Sequence, residues 1–308
     1  MPSDSPSSEL PEFARMSMAV AHAPSLFRAL PKTGKIQYLE LRYEVGALSY
    51  RLVGPQLGTT ELRVLQALVA IATGRQAWNE PRPGVASAPL DKVAWLLSQS
   101  AQIATSYNEI ARVAGYAANS GAMTRRIRQA LERMYGVHVF VAVAGSPNDF
   151  EAGRLFTQLN GRDDGLCVGM CPVLAAALLG TPGGYLRLDM TEARLLESDA
   201  ARLLHQRLHW INAGERREIS VDVLCSYIWP DATANDSTRR GRRRQMLKAL
   251  DELYLRIRWM CTEVRPGIIS IHRSVPVRTK TGRLSERQRY AVRMPTQPRQ
   301  DANASPAS

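Results

Sequence analysis

The densest group of functional side chains is a run of cations on one predicted helix. Guanidinium groups bind phosphate through paired hydrogen bonds, so such a run favours a phosphate backbone as partner. The cations stand at the start of the helix, where the helix dipole disfavours positive charge, and helix stability therefore does not explain them. The run comprises Arg239, Arg240, Arg242, Arg243, Arg244 and Lys248.

A second, sparser group of arginines lies on an earlier predicted helix, where Arg133 and Glu132 accompany it. This spacing is also common on a solvated helix face, so a DNA-binding role for these arginines depends on the elements around the helix. Together the two regions give the predicted DNA contacts, with two hydroxyl residues at the second helix start and one arginine in a hairpin turn. These are Arg125, Arg126, Arg128, Ser237, Thr238, Arg239, Arg240, Arg242, Arg243, Arg244, Lys248 and Arg265.

Histidine and cysteine spacing gives no metal prediction. His205 and His209 are four apart and share a helix face, but the glutamate of an HExxH motif is missing, so packing is the expected role. Cys167 and Cys171 lack a second pair at matching spacing, and we expect them to be buried.

Catalytic motifs are also missing from the sequence. It contains no G-x-x-x-x-G-K-[ST] phosphate loop, no G-x-S-x-G elbow and no His-apolar-His pair of a metal-dependent nicking enzyme. The sequence therefore predicts a protein that is not an enzyme and needs no cofactor. An Arg, His and Tyr set for strand transfer can be assembled from almost any basic chain, so it is weak evidence for catalysis. An enzyme that nicks or joins DNA is kept only as the third alternative.

The composition limits the class of partner and the type of protein. The 308 residues carry a formal charge of +12, which suits an anionic polymer or an anionic membrane surface. No apolar run is long enough to span a membrane, and the start shows no secretory signal. A chain of this length can bury a core without disulfides, so the four cysteines are expected as free thiols in a reducing cytoplasm.

Between two predicted disordered tails, residues 1–22 and the basic segment 276–308, the same order of elements occurs twice. The first copy has a strand pair over 36–53, a helix over 59–73, a short helix capped by Ser106, the helix ending near Gly136, and a hairpin of 137–143 with 154–159. Short helix, turn, longer basic helix and hairpin is the order of a winged helix-turn-helix.

The second copy begins near Tyr185 and continues through a helix over 198–212 and a short helix capped by Ser220. The basic helix runs over 237–255, with a predicted apolar stripe of Leu247, Leu250, Leu253 and Tyr254, and the turn at Arg265 joins the last hairpin. The sequence thus predicts an α+β protein with two tandem winged-helix domains, 23–182 and 183–275.

Four stretches also resemble a known family: Ala23–Leu30 (APSLFRAL), Leu62–Ala70 (LRVLQALVA), Ala201–Leu208 (ARLLHQRL) and Leu224–Pro230 (LCSYIWP). They are similar to the replication initiator protein C of IncQ-type plasmids. The resemblance implies two winged-helix domains, binding to direct origin repeats called iterons, and opening of the adjacent AT-rich duplex. It also implies a separate plasmid-coded helicase and primase as partners, which fits the missing phosphate loop.

We therefore expect a cytoplasmic, iteron-binding plasmid initiator that promotes duplex opening and helicase loading without a membrane partner. The alternative is a winged-helix transcriptional regulator, which would bind a promoter palindrome as a dimer. Whether the active form is a monomer or a homodimer stays open at this point.

Overall fold

Antiparallel sheets and the helices between them form an α+β architecture, as the sequence predicts. The computed structural model describes residues 10–30, 37–75, 101–116, 120–145, 150–162, 165–178, 185–230 and 234–275. Its strands are β1 (Phe13–Ser17), β2 (Tyr38–Val45), β3 (Leu48–Pro55), β4 (Ala101–Thr105), β5 (His138–Val143), β6 (Phe150–Arg154), β7 (Phe156–Arg162), β8 (Gly165–Met170), β9 (Tyr185–Asp189), β10 (Arg216–Ser220), β11 (Met260–Arg265) and β12 (Ile268–His272). Its helices are α1 (Met18–His22), α2 (Thr59–Arg75), α3 (Tyr107–Val113), α4 (Gly121–Tyr135), α5 (Pro172–Leu178), α6 (Met190–Leu195), α7 (Asp199–Leu208), α8 (Val221–Ile228) and α9 (Asp236–Ile257).

Part of the predicted N-terminal tail is in fact structured. β1 pairs antiparallel with β9, from Phe13 opposite Asp189 to Ser17 opposite Tyr185, and α1 follows directly. Ala14 is completely buried, so this segment belongs to the core. This strand could not be predicted locally, because its partner, β9, comes much later in the chain. Residues 1–9 and the predicted tail 276–308 lie outside the described residues.

The first predicted hairpin is also wrong. β2 and β3 form the predicted strand pair, but β5 pairs with β3 on one side and with β6 on the other, giving a sheet in the order β2-β3-β5-β6. The segment 154–159, predicted as one strand, bends at the fully buried Leu155. After the bend, β7 turns to a different sheet and pairs with β8.

One series of elements occurs twice: a helix, a strand, two helices and a hairpin. In both copies the single strand pairs over five residues with the second strand of the hairpin, giving the sheet orders β4-β8-β7 and β10-β12-β11. The predicted repeat is therefore present, but its second copy begins at α7, since β9 pairs with β1. The first copy is α2, β4, α3, α4, β7 and β8, with β5 and β6 inserted before the hairpin, and the second is α7, β10, α8, α9, β11 and β12.

Apolar stripes fix how the two basic helices sit on the core. In α4 the buried side chains are Ile127, Ala130, Leu131 and Met134, and Met123 is half-buried on the same stripe. The predicted stripe of α9 needs a correction, because Leu247 is exposed and Met246 is buried instead. The buried side chains of α9 are Met246, Ala249, Leu250, Leu253 and Ile257.

The two copies are in contact within one compact unit that extends to Ser274. Gln66 of α2 donates a buried hydrogen bond of 2.7 Å to Gln206 of α7, and the Thr59 hydroxyl donates to Asp199 at 2.5 Å. The predicted boundary at residue 182 lies outside the described residues, and the division into two domains stays a prediction. None of the helices in the described ranges has the length and apolar content to cross a bilayer.

Candidate nucleic-acid interface

The basic helix α9 begins with a side-chain cap. Asn235 has an extended backbone, and its carboxamide oxygen accepts a hydrogen bond of 2.8 Å from the Thr238 backbone N–H. Such a cap satisfies one of the unpaired N–H groups at a helix start. Ser237 and Thr238, two of the predicted contacts, therefore lie exposed in the first turn, one residue further inside the helix than predicted.

The arginines of α9 fall into two sets with different surroundings. Arg240, Arg244 and Lys248 are spaced by four residues, so they share a helix face, and all three are exposed. The buried Met246 and Leu253 lie on the opposite face. Arg240 and Arg244 consequently point away from the core.

The second set faces the preceding helix, α8. Arg243 donates a hydrogen bond of 2.7 Å to the Asp222 carboxylate, although both side chains are largely exposed. The Arg242 guanidinium lies 6.0 Å from the centre of the Trp229 ring, just after the end of α8. Arg239 is exposed one turn earlier. These contacts orient the cations at the α8–α9 corner.

Lys248 has a different environment from the arginines. It borders a shallow surface cavity together with the carboxylates of Glu197, Asp251 and Glu252. Carboxylates repel phosphate, so this position favours DNA contact less than the start of the helix does. The predicted contact surface is therefore best supported over residues 237–244.

The second hairpin brings Arg265 to the same end of the copy. Arg265 donates a hydrogen bond of 2.7 Å to Glu218 of β10. At the turn, Gly267 has a φ of +76°, a conformation that glycine adopts without a steric penalty. Its carbonyl accepts from the Val221 N–H at 2.9 Å, which ties the hairpin turn to the start of α8.

In the first copy, α4 presents the three predicted arginines on its exposed side. Arg126 donates two hydrogen bonds, of 3.2 and 2.9 Å, to the Thr60 hydroxyl of α2. The Arg128 guanidinium lies 5.6 Å from the centre of the Tyr107 ring in α3. Arg125 is exposed. The turn residues 117–119 lie outside the described residues.

Arg133 has a structural role instead. It donates two hydrogen bonds to Oε1 of the buried Glu61, whose Oε2 accepts from the Gly58 N–H at 2.7 Å. Glu61 thus connects the start of α2 to α4. Without Arg133 a buried carboxylate would lose its partner, which is costly.

Sequence reasoning missed three polar residues of this surface and one hairpin. Asn235 could have been found, because Asn is a preferred cap and a basic helix follows it. Asp222 and Glu218 had no such signal, since their arginine partners are 21 and 47 residues away. The hairpin of the first copy is β7–β8. No local sequence pattern shows that β7 pairs with β8 and not with β5.

A buried polar cluster lies where α6, α7 and the end of β12 meet. Glu192 hydrogen-bonds to His205 at 3.1 Å and to the Trp259 indole N–H at 3.2 Å, while Arg273 donates to His209 Nε2 at 2.7 Å. Burial, assisted by the charges of His205 and Arg273, lowers the pKa of His209 well below 6.5. Burial raises the pKa of Glu192, but the hydrogen bonds and charges of His205, Arg273 and Trp259 together hold it below its usual range.

The ligand atoms of Glu192, His205 and His209 all lie within 4.8 Å of one another, close enough to suggest a metal ion. However, Arg273 uses the lone pair of His209 Nε2 and lies 3.8 Å from Glu192. A cation bound there would face a guanidinium, so the geometry favours the packing role predicted for the two histidines. The absence of a metal stays a prediction.

All four cysteines are free thiols. Burial raises the pKa of Cys171 to about 11 and, together with the charge of Asp251, that of Cys261 to about 12. A thiol is a nucleophile only when ionised, so these two are inert at neutral pH.

The fold has a match among solved structures. Domains 2 and 3 of RctB superpose with a TM-score of 0.51 at 12% identity, covering 84% of this chain and 98% of that chain. A second RctB structure of domains 2–3 gives 0.48 at 11% identity, with 82% and 94% covered. At this identity the match concerns the fold alone. No curated protein matches the chain in sequence.

The sequence itself matches a protein family. The family model described as replication protein C (RepC) covers residues 9–275, which include both copies of the repeated series and every predicted contact residue. The match takes in most of the 308 residues. The chain therefore belongs to the replication protein C (RepC) family.

Proposed function

We propose that the chain is a plasmid replication initiator that binds directly repeated DNA sites at the origin. The observation that carries the proposal is the repeated series of helix, strand, two helices and hairpin, with exposed arginines on the last helix of both copies. Membership of the replication protein C family supports the same process. Two copies in one chain suit a site that is read as two successive segments in the same direction.

Each copy of the series is proposed to be a winged helix. The two consecutive helices, α3 with α4 and α8 with α9, pack against each other. The strand before these helices and the hairpin after them form a three-stranded sheet, and we propose that the hairpin is the wing. In a winged helix the second helix enters the major groove and its N-terminal residues contact bases and phosphates. The proposal assigns these contacts to the arginines at the start of α9 and to Arg265 beside the wing turn.

Duplex opening would then need no bond chemistry. Binding energy spent on bending or untwisting the DNA can weaken an adjacent AT-rich segment. A separate helicase and primase would act on the opened strands. The chain is accordingly proposed to be a DNA-binding protein without enzymatic activity or cofactor, acting on double-stranded DNA either as a monomer or as a homodimer.

The test of DNA recognition uses Arg240→Ala with Arg244→Ala on the outward face of α9. If both residues contact phosphates, affinity for origin DNA falls and the salt slope, d log K/d log[salt], decreases in magnitude by about 1.8. The control is Arg256→Ala in the last turn of α9, whose guanidinium pairs with Glu197. An unchanged slope in the double variant would remove α9 from the interface.

The test of initiation is the pattern of protected DNA. An initiator should protect tandem direct repeats beside an AT-rich segment and should make that segment reactive to permanganate. A promoter palindrome bound by a dimer would identify a transcriptional regulator instead. Metal-dependent cleavage of supercoiled origin DNA would show an enzyme and overturn the proposal.

A further inference from the structure

The sheet β2-β3-β5-β6 has one face that packs on the core and one that is open. On the inner face, Leu52 and Val141 are buried. On the outer face, the register places Arg42, Arg51 and Phe140 side by side on three strands. Phe150, at the edge, is 51% exposed. The proposed recognition helices take no part in this face.

Aromatic rings and guanidinium groups are combined on this outer face. The Phe140 and Phe150 rings meet edge to face with their centres 5.5 Å apart, and the Arg51 guanidinium lies 5.1 Å from the centre of the Phe140 ring. Between them is a hollow of about 120 Å³, which Arg42 and Ser49 also line. A flat ring entering the hollow would meet Phe150 and a guanidinium.

One carboxylate positions the two cations. Glu40 accepts hydrogen bonds from Arg42 at 2.8 Å and from Arg51 at 2.9 Å. It keeps both guanidiniums close to the hollow and neutralises one of their two charges. The remaining positive charge and the unused N–H donors are complementary to a phosphate.

We propose that this sheet face binds single-stranded DNA, with a base against Phe150 and Phe140 and the adjacent phosphate at Arg42 and Arg51. Aromatic platforms with interleaved cations bind single strands because every base offers a ring face. A duplex keeps its bases stacked inside, so it cannot use the rings. The inference rests on the proposed function, because opening the origin duplex produces such a strand.

A second copy of the chain is the competing occupant, since β6 is an edge strand with all five residues exposed. Edge strands can pair with another chain. The face nevertheless carries two arginines against one carboxylate at its centre, so two copies meeting through it would bring like net charges together, which disfavours association. The composition therefore favours a nucleic-acid strand.

The experiment crosses two variants of the full chain with two probes. The probes are labelled oligo(dT) of about 16 nucleotides and the duplex origin repeat. Phe150→Ala with Arg42→Ala should bind oligo(dT) roughly tenfold more weakly and leave duplex affinity unchanged. Arg240→Ala with Arg244→Ala should weaken duplex binding and leave oligo(dT) affinity unchanged. Phe150→Tyr with Arg42→Lys keeps a ring and a charge and should retain oligo(dT) binding.

Three results would overturn the inference: no oligo(dT) binding by the wild-type chain, equal binding by Phe150→Ala with Arg42→Ala, or a change of sedimentation coefficient in that variant, which would identify an interface between copies. Should that variant fail to fold, Arg42→Ala alone must still weaken oligo(dT) binding. If Arg240→Ala with Arg244→Ala left duplex binding unchanged while the oligo(dT) results held, the proposed function would be contradicted and the single-strand site would still stand.

Discussion

Two arginines of the proposed DNA surface are paired with carboxylates, Arg243 with Asp222 and Arg265 with Glu218. Exposed pairs of this kind are weak because water and salt screen them, so a DNA phosphate can displace them. The displaced carboxylate then repels the phosphate whatever the base sequence. We infer that these two acids lower the affinity for specific and for non-specific duplex alike, because the repulsion does not depend on the base sequence.

Replacing Asp222 with Asn should therefore raise the affinity for specific and for non-specific duplex severalfold and leave the ratio of the two affinities nearly unchanged. The salt slope for non-specific DNA should steepen by up to about 1, because Arg243 becomes available to one more phosphate. Titration of labelled duplexes at several salt concentrations measures both. Glu215→Gln is the matched control, since Glu215 pairs with Arg217 at the far end of β10. Equal effects of the two substitutions would contradict this role of Asp222.

The buried cluster around Trp259 makes stability depend on pH. Because the pKa of His209 is lowered in the folded chain, the unfolded chain binds the proton more readily. Stability is then lost as pH falls below about 6.5, the usual histidine value. Glu192 contributes at lower pH, since its lowered pKa gives stability that is lost as pH falls through the folded pKa.

We expect the urea midpoint of unfolding to decrease between pH 7.5 and pH 5.5, where His209 titrates in the unfolded chain and Glu192 stays ionised. His209→Gln removes the titrating group and should flatten this dependence. Burial and the charge of Arg207 also lower the pKa of His22. His22 will therefore leave part of the pH dependence in the His209→Gln variant. His22→Gln is thus the second variant. A wild-type midpoint that rises on acidification would show that His209 is charged in the fold.

At the scale of elements, the sequence predicts helices better than strand pairing. α3, α4, α8 and α9 have caps and apolar periods within their own residues, such as Ser106 bonding to the Glu109 N–H and Ser220 to the Val223 N–H. Strand partners depend on distant residues. β1 pairs with β9, and β5 pairs with β3 and β6, whereas β7, the predicted partner of β5, pairs with β8. For the same reason the arginines could be predicted and their carboxylate partners could not.

The cap of α9 is a local device on which the DNA surface depends. Asn235→Ala removes its hydrogen bond to the Thr238 N–H and should cost about 1 kcal/mol of unfolding free energy. Fraying of the first turn would also weaken origin binding, because the arginines follow in the next turns. Urea denaturation measures the unfolding free energy, and DNA titration measures the affinity for origin DNA. Asn235→Asp can make the same cap and should restore stability, and a fully stable Asn235→Ala would show that the cap is not needed.

At the scale of the whole molecule, several contacts hold together the two copies and the elements around them. β1 pairs with β9, and the Ala29 N–H donates to the Ile228 carbonyl at the end of α8. Gln66–Gln206 and Thr59–Asp199 link α2 with α7. Glu252 of α9 accepts from the Ser198 N–H at 3.1 Å, just before α7. Within the described residues, the two basic helices are therefore attached to one continuous set of packed elements.

If both basic helices read DNA as proposed and keep the relative positions that this packing gives them, the protein should tolerate only one spacing of the two DNA segments. Inserting five base pairs at the midpoint of a protected repeat turns one segment by about half a helical turn, and affinity should fall at least tenfold. Inserting ten restores the rotation but moves the segment by about 34 Å, so binding should stay weak. Gel-shift titrations on the three duplexes measure this. A flexibly tethered pair would regain affinity with ten base pairs, because the linker could extend to the displaced segment.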